Sequence, residues 1–309
     1  MSSARRLPGA AASRHDRCVK PARLSLLTYN TGLLRVPVER YNPIPHVDER
    51  LAAIPGEVLR LEADVVALQE VFQPRDRHSL LARTKGAYPH VGHVPPGGVR
   101  LDAGLLTLSR YPLRARLRPF RHGPVSERIF SNKGPLVTEV DLPGAGAVTV
   151  INLHATAGGF FAMPESPRAE AMRRGQMEQV IAEARAARGP VVIVGDFNAG
   201  PGAAEANYRQ LEAGGFTDVF AHLHGADPAC TWDPQNPLNA SGFHRTCPPQ
   251  RIDHVFVRSE DVRLGRVAPR RARVVLDRPQ VRVGGGRLVT PSDHYGLHAE
   301  LEFLPPAAW

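Results

Sequence analysis

Four apolar segments of this 309-residue chain run straight into side chains that can hold a hard cation or move a proton. "LSLLTYN" ends on Asn30, "DVVALQE" on Glu70, "AVTVINLH" on His154, and "PVVIVGDFN" on Asp196 and Asn198. Two further segments add Asp253, in "RIDHV", and Asp293 with His294, in "SDHYG". Taken singly, an Asp or Asn after a strand is ordinary turn chemistry. Recurrence at six places in one chain points instead to a site, with each strand serving as a rigid mount.

Two carboxylates and two carboxamides offer only oxygen ligands, and no cysteine joins them, so the expected ion is Mg2+, with Mn2+ or Ca2+ as substitutes. Mg2+ keeps several waters and takes one or two protein carboxylates plus a substrate phosphate, which points to phosphoester chemistry. Hydrolysis then needs a base, assigned to His294, and a donor to the charge developing on the phosphoryl oxygens, assigned to His154. A carboxylate on the other ring nitrogen would fix the tautomer of His294. Asp253 and Asp293 are both candidates for that carboxylate. Because neighbours on an extended chain face opposite ways, Asp253 is the better orienter, on a strand expected to neighbour that of His294, and Asp293 would serve the metal or the Asp196/Asn198 side. By the same alternation Asp196 and Asn198 should share a cleft. His254 is expected to face away from it, and no role is given to the other histidines.

The elements that must position these groups are read from periodicity. Strands are predicted at 24–30, 64–70, 103–109, 133–140, 147–154, 190–198, 251–257 and 295–303. A helix should follow Ser166-Pro167, capped by Ser166 and carrying Met177, Val180, Ile181 and Ala184 on one face. A weaker helix covers about 47–62, interrupted at Pro55-Gly56. Mixed strands and helices, with several runs apolar on both faces, predict an α/β fold of sheets covered by helices, with the polar strand ends lining one rim of a sheet.

The formal charge of +9 suits a phosphate-bearing partner, although lysine occurs only at 20, 85 and 133 and an arginine-rich codon pool explains the charge equally well. Nine arginines and three acids crowd 258–287, read as a solvated loop and hairpin. Cys18, Cys230 and Cys247 have no metal-binding spacing, and a Cys230–Cys247 bridge is left open. Residues 1–22 read as a disordered basic tail ahead of one catalytic domain over 23–305, with no signal peptide or membrane span in view and the compartment left unknown.

The motifs "TYN", "LQEVF", "INLHA", "VGDFN", "RIDHV" and "SDHYG", in that order over residues 24–303, resemble the endonuclease/exonuclease/phosphatase superfamily. The resemblance implies a four-layer sandwich of two stacked mixed β-sheets flanked by helices, with a Mg2+ site at the strand ends. It makes Glu70 the principal metal ligand and Asn30 its neighbour, and it places Asp196 and Asn198 on the attacking water or the phosphate. His154 falls on the phosphate, and His294, paired with Asp253, is the base. "FSNKGPLVTEV", "DAGLLTLSRYPL", "SPRAEAMRRGQMEQV", "TWDPQNP" and "SDHY" are similar to the neutral sphingomyelinase branch. The chain departs from the secreted bacterial members in having no aromatic in "VLDRPQVRVGGGRLVTP", and Pro74 and Leu101 at two positions of their second metal site. Phe160-Phe161 is the alternative lipid-touching segment. The resulting expectation is a monomeric, sphingomyelinase C-like phosphodiesterase acting on a phospholipid, with transient contact to a membrane surface. A nuclease acting on nucleic acid, and an inactive binding module of the same fold, are the alternatives.

Overall fold

In chain order the strands are β1 (Ala22–Asn30), β2 (Val65–Gln69), β3 (His90–Gly92), β4 (Leu106–Ser109), β5 (Leu113–Leu117), β6 (Leu136–Leu142), β7 (Gly146–His154), β8 (Val191–Asp196), β9 (Phe216–Asp218), β10 (Asp253–Arg258), β11 (Val267–Val275), β12 (Val281–Arg282), β13 (Leu288–Val289) and β14 (Gly296–Phe303). The helices are α1 (Val47–Arg60), α2 (Pro74–Thr84), α3 (Pro167–Ala186), α4 (Glu205–Ala213), α5 (Val219–His224) and α6 (Ser259–Arg263). They come from a computed structural model that describes residues 20–35, 42–97, 101–125, 127, 131–157, 166–240 and 247–305. The tail at 1–19 and Phe160-Phe161 lie outside the described residues.

Burial on both faces of the central strands dictates the layering. In β1, Leu24 and Leu26 point one way and Leu27 and Tyr29 the other, all with at most 1% exposure. Such a strand needs cover on both sides. Two six-stranded mixed sheets result, ordered β11-β14-β1-β2-β4-β3 and β5-β6-β7-β8-β10-β9, with β1/β2 and β7/β8 as parallel pairs at their centres.

Three apolar layers join them. Leu24, Leu26, Val65, Ala67, Val150, Val192, Val194, Val255 and Val257 fill the space between the sheets. Leu27, Tyr29, Val66 and Leu68 pack against Val47, Ile54 and Val58 of α1 and Leu80 of α2. Ile151, Leu153, Ile193 and Phe256 pack against Met177, Val180, Ile181 and Ala184 of α3 and Leu211 of α4. The fold is therefore the expected four-layer α/β sandwich, helix on sheet on sheet on helix.

The Ser166 hydroxyl accepts from the Ala169 amide at the start of α3, with Pro167 at the first helical position, as read from the sequence. The expected break at Pro55-Gly56 is absent. α1 continues through Pro55, because Ile54, Pro55 and Val58 are all buried and their packing outweighs one lost backbone hydrogen bond. The arginine-rich stretch also departs from expectation. Its middle, Val267–Val275, is β11, an edge strand whose Arg270 and Arg271 pair with Glu302 and Glu300 of β14, and Ser259–Arg263 is the helix α6. Only 281–289 forms the hairpin, β12 with β13.

Candidate functional site

Strand parity builds the site. The face of β1 that carries Leu24 and Leu26 into the inter-sheet layer continues to Thr28 and Asn30. The same alternation takes β8 from Val192 and Val194 to Asp196, β7 from Val148 and Val150 to Asn152 and His154, and β10 from Val257 and Val255 to Asp253. The polar ends thus belong to the core-lining faces of both sheets, not to one sheet's rim as the sequence suggested. They meet at the end of the inter-sheet layer. Beneath them Gln69 Nε2 donates to Thr28 Oγ1 at 3.1 Å and to Asn152 Oδ1 at 2.8 Å, locking the sheets together.

Glu70 lies one residue beyond β2, and parity from Gln69 would turn it toward the helices. Its φ of 60°, costly for a residue with a side chain, takes it out of the alternation. Asn30 Nδ2 donates to Glu70 Oε1 at 3.3 Å and to Asp196 Oδ2 at 3.0 Å. His154 Nε2 lies 3.8 Å from Glu70 Oε1 and 3.5 Å from Asp196 Oδ2. His294 Nε2 faces Asp196 Oδ2 at 3.9 Å, and its Nδ1 is 2.9 Å from Asp253 Oδ2. Asp253 is thus the partner of His294, as expected, but it reaches across the sandwich, since His294 leads into β14 of the other sheet. Asp293 Oδ1 accepts from Ser292 Oγ at 3.0 Å and lies where a side chain on Gly32, φ +56°, would collide at 2.3 Å. Asn198 is not presented by strand alternation. Its φ is 46°, its amide donates to Asp196 Oδ1 at 2.8 Å, and its Nδ2 donates to Ala155 O at 3.0 Å.

Crowded carboxylates dominate the electrostatics. Burial, then Asp293 and Asp196, raise Glu70 to about 7 against the relief given by His294 and Asn30. Burial and Asp253 raise Asp196 to about 6. Burial works against a charged His294, yet Asp253, Asp196 and Asp293 together hold its pKa well above the usual histidine value. His154 is pushed well below it, by burial first and then by Lys133 and His294. One ligand atom each from Asp196, Asp253 and His294 lies within 4.8 Å of the other two. Asp253 is engaged by His294 through Oδ2 only, and Glu70 Oε2, like Asp253 Oδ1, is buried with no partner. An oxygen-rich cluster with surplus negative charge and an orphaned carboxylate oxygen fits a hard divalent cation.

Two contributors escaped the sequence reading. Lys133 Nζ sits 3.4 Å from both Ala155 O and Glu127 Oε1, bringing a cation to the His154 side. Its signals were the rarity of lysine and its place in "FSNKGPLVTEV", where it was given no role. Arg50, with 0% exposure, donates to four carbonyls, those of Pro45, Thr31, Gly32 and Pro291, at 2.7 to 3.3 Å. It ties the turn after Asn30 to the segment before Asp293 and His294. An arginine at apolar spacing between Val47 and Ile54 was the available sign. Cys230 and Cys247 are both free thiols.

The Endonuclease/Exonuclease/phosphatase family model matches residues 27–294, and the chain belongs to that family. It is 29% identical over 273 residues to a Drosophila melanogaster protein provisionally named a neutral sphingomyelinase, covering 84% of this chain and 59% of that one. With a sphingomyelinase C of Listeria ivanovii it shares 24% over 225 residues, 65% of this chain and 63% of the relative. The chain thus spans about three fifths of the length of these two relatives. The sphingomyelinase C of Streptomyces griseocarneus has the same fold, with a TM-score of 0.69 at 23% identity over 90% of this chain and 99% of that one. So do a Staphylococcus aureus beta toxin variant with bound magnesium ions (0.67, 21%, covering 89% and 98%) and the Danio rerio TDP2 complexed with single-strand DNA product (0.65, 18%, covering 90% and 98%).

Proposed function

We propose that the chain is a divalent-metal-dependent phosphodiesterase that hydrolyses a phospholipid headgroup ester in the manner of a sphingomyelinase C. The supporting observation is the convergence of Glu70, Asp196, His154 and the Asp253–His294 pair at one end of the inter-sheet layer.

In this reading Glu70, with Asn30 and Asp293 beside it, would hold Mg2+, or Mn2+ or Ca2+ in its place. The bound ion supplies positive charge against the carboxylates and the phosphoryl oxygens, which also works against the proton on His294. His294 takes a proton from the attacking water on Nε2 as the water oxygen bonds to phosphorus and the P–O bond to the lipid alcohol breaks, while Asp253 fixes its tautomer and balances the imidazolium. The departing alkoxide takes a proton from solvent, and His294 returns its own there. Asp196, 3.9 Å from that nitrogen, accepts from the same water and aims it. His154, kept neutral by its surroundings, and Asn198, through the second hydrogen of its side-chain Nδ2, donate to the phosphoryl oxygens. Residues 23–305 act as one catalytic unit, as a monomer that meets the membrane surface only transiently. Among the described residues no helix is long and apolar enough to cross a membrane.

The charge of +9 favours a nuclease as the second reading. The test is a side-by-side assay on sphingomyelin, phosphatidylcholine, a phosphoinositide and supercoiled DNA, with Mg2+ and with EDTA. Release of a phosphorylated headgroup, abolished by EDTA and by Glu70→Ala, is the expected result. Intact lipids beside nicked DNA would transfer the site to the nuclease reading, and no cleavage of any substrate would leave a binding module.

A further inference from the structure

His254 faces away from the site, into the core among Phe197, Tyr208 and Phe256, with 0% exposure. Both of its ring nitrogens are nevertheless engaged. Nε2 lies 3.0 Å from Ala199 O, the carbonyl just after Asn198. A carbonyl only accepts, so Nε2 carries a hydrogen and donates it. Nδ1 lies 3.0 Å from both Asp218 Oδ2 and Arg251 Nη1. Asp218 is itself fixed, by Arg251 Nη1 at 2.5 Å, by Tyr208 OH at 3.1 Å and by two amides at the start of α5.

The turn after β8 is thus gripped from two sides. In front, Asp196 Oδ1 accepts the Asn198 amide. Behind, His254 donates to Ala199 O. Between them Asn198 keeps a φ of 46°, a conformation that few side-chain-bearing residues hold without support. The fit behind the turn is close enough that a Cβ on Gly200 would come within 1.8 Å of Arg251 O and 3.2 Å of His254 Nε2. His254 also follows Asp253 in the chain, so one residue joins the carboxylate that orients His294 to the turn that presents Asn198.

We propose that His254 is a positioning residue: through its Nε2–H bond to Ala199 O, anchored by Asp218 and Arg251, it sets the Asn198 turn against the Asp253–His294 pair. The proposal rests on the phosphodiesterase reading for its catalytic consequence, but not for its structural one.

The test uses three variants of the full chain. His254→Gln can still place a donor near Nε2, whereas His254→Asn reaches only the Nδ1 position and His254→Phe fills the ring space with no donor. With Mg2+ and bis(4-nitrophenyl) phosphate, kcat should fall by about 10- to 100-fold in His254→Asn and His254→Phe, with KM little changed, and His254→Gln should recover most of it. Independently of activity, the Asn198 amide should exchange with solvent at least about tenfold faster in His254→Asn than in the wild type. In the wild type, imidazole nitrogen NMR should find Nε2 protonated, a result that needs no variant to fold. Wild-type kcat and exchange in His254→Asn, no recovery in a folded His254→Gln, or an Nδ1-only tautomer would each overturn the proposal. A wild type inactive on every phosphodiester, with the exchange result intact, would remove the catalytic reading and leave the anchor standing.

Discussion

Asp253 and His254 are consecutive on β10, and each forms half of a histidine–aspartate pair, on opposite faces of the strand. The distances are almost the same, 2.9 Å for Asp253–His294 and 3.0 Å for Asp218–His254. The surroundings are not. Behind the strand, Asp218 receives Arg251, His254, Tyr208 and two helix amides, so that, although burial opposes it, its carboxyl is held well below the usual carboxylate range. In front, Asp253 keeps an unpartnered buried oxygen, as Glu70 does, and Asp196 and Glu70 are raised to about 6 and about 7. A buried pair with its charges compensated stabilises structure, and one left short of positive charge is poised for a cation or a proton. The Asp–His geometry alone does not separate the two.

The sharpest way to break this contrast is to remove its halves. His294→Ala should reduce phosphodiester cleavage by about 10²- to 10⁴-fold at a smaller cost in urea unfolding, with Mg2+ present, than that of Asp218→Asn, a split read from kinetics and denaturation on one sample. Asp218→Asn should do the reverse to stability, costing about 3–5 kcal/mol because it strands Arg251 in the interior. If Asp253→Asn destabilises as much as Asp218→Asn, the front pair is structural too and the contrast fails.

A smaller effect lies in the pH dependence of the metal-stripped protein. Between pH 6.5 and 8 the lowered histidines, His154 and His298, are neutral in the fold and shed only about half a proton each from the unfolded chain, a small opposing contribution. Glu70 and His294 are both raised, so the folded state binds more protons there. Stability should therefore fall, by about 1–2 kcal/mol, as pH rises from 6.5 to 8 in EDTA, and Mg2+ should reverse the slope. Thermal unfolding across that window measures it, and a slope of the opposite sign in EDTA contradicts the assignment. Smallest of all, Tyr208→Phe removes one hydrogen bond to Asp218, with an expected cost of about 1 kcal/mol by urea unfolding and unaltered cleavage.

The layering and most of the site were legible because burial and alternation act locally. β1, β2, β7 and β8 announce themselves as apolar runs, and their terminal polar residues do converge. What local pattern could not supply was which sheet each strand joins, so four ends expected on one rim come instead from two facing sheets. Glu70 and Asn198 reach the site through positive φ, a conformation that no side-chain pattern encodes and that strand alternation misassigns. Arg50 and Lys133 were missed because their work is done against backbone carbonyls, which every sequence has everywhere. His254 was correctly turned away from the site, but its bond to Ala199 O depends on how closely the turn at Gly200 packs, which only the assembled core reveals.

The central claim is that uncompensated carboxylates at the sandwich end bind a divalent cation. Calorimetric titration of Mg2+ into EDTA-stripped protein, wild type beside Glu70→Gln, tests it directly. Saturable binding in the wild type, weakened by at least about tenfold in a folded Glu70→Gln, is the predicted result. Equal binding in both proteins, or none in the wild type, would contradict it.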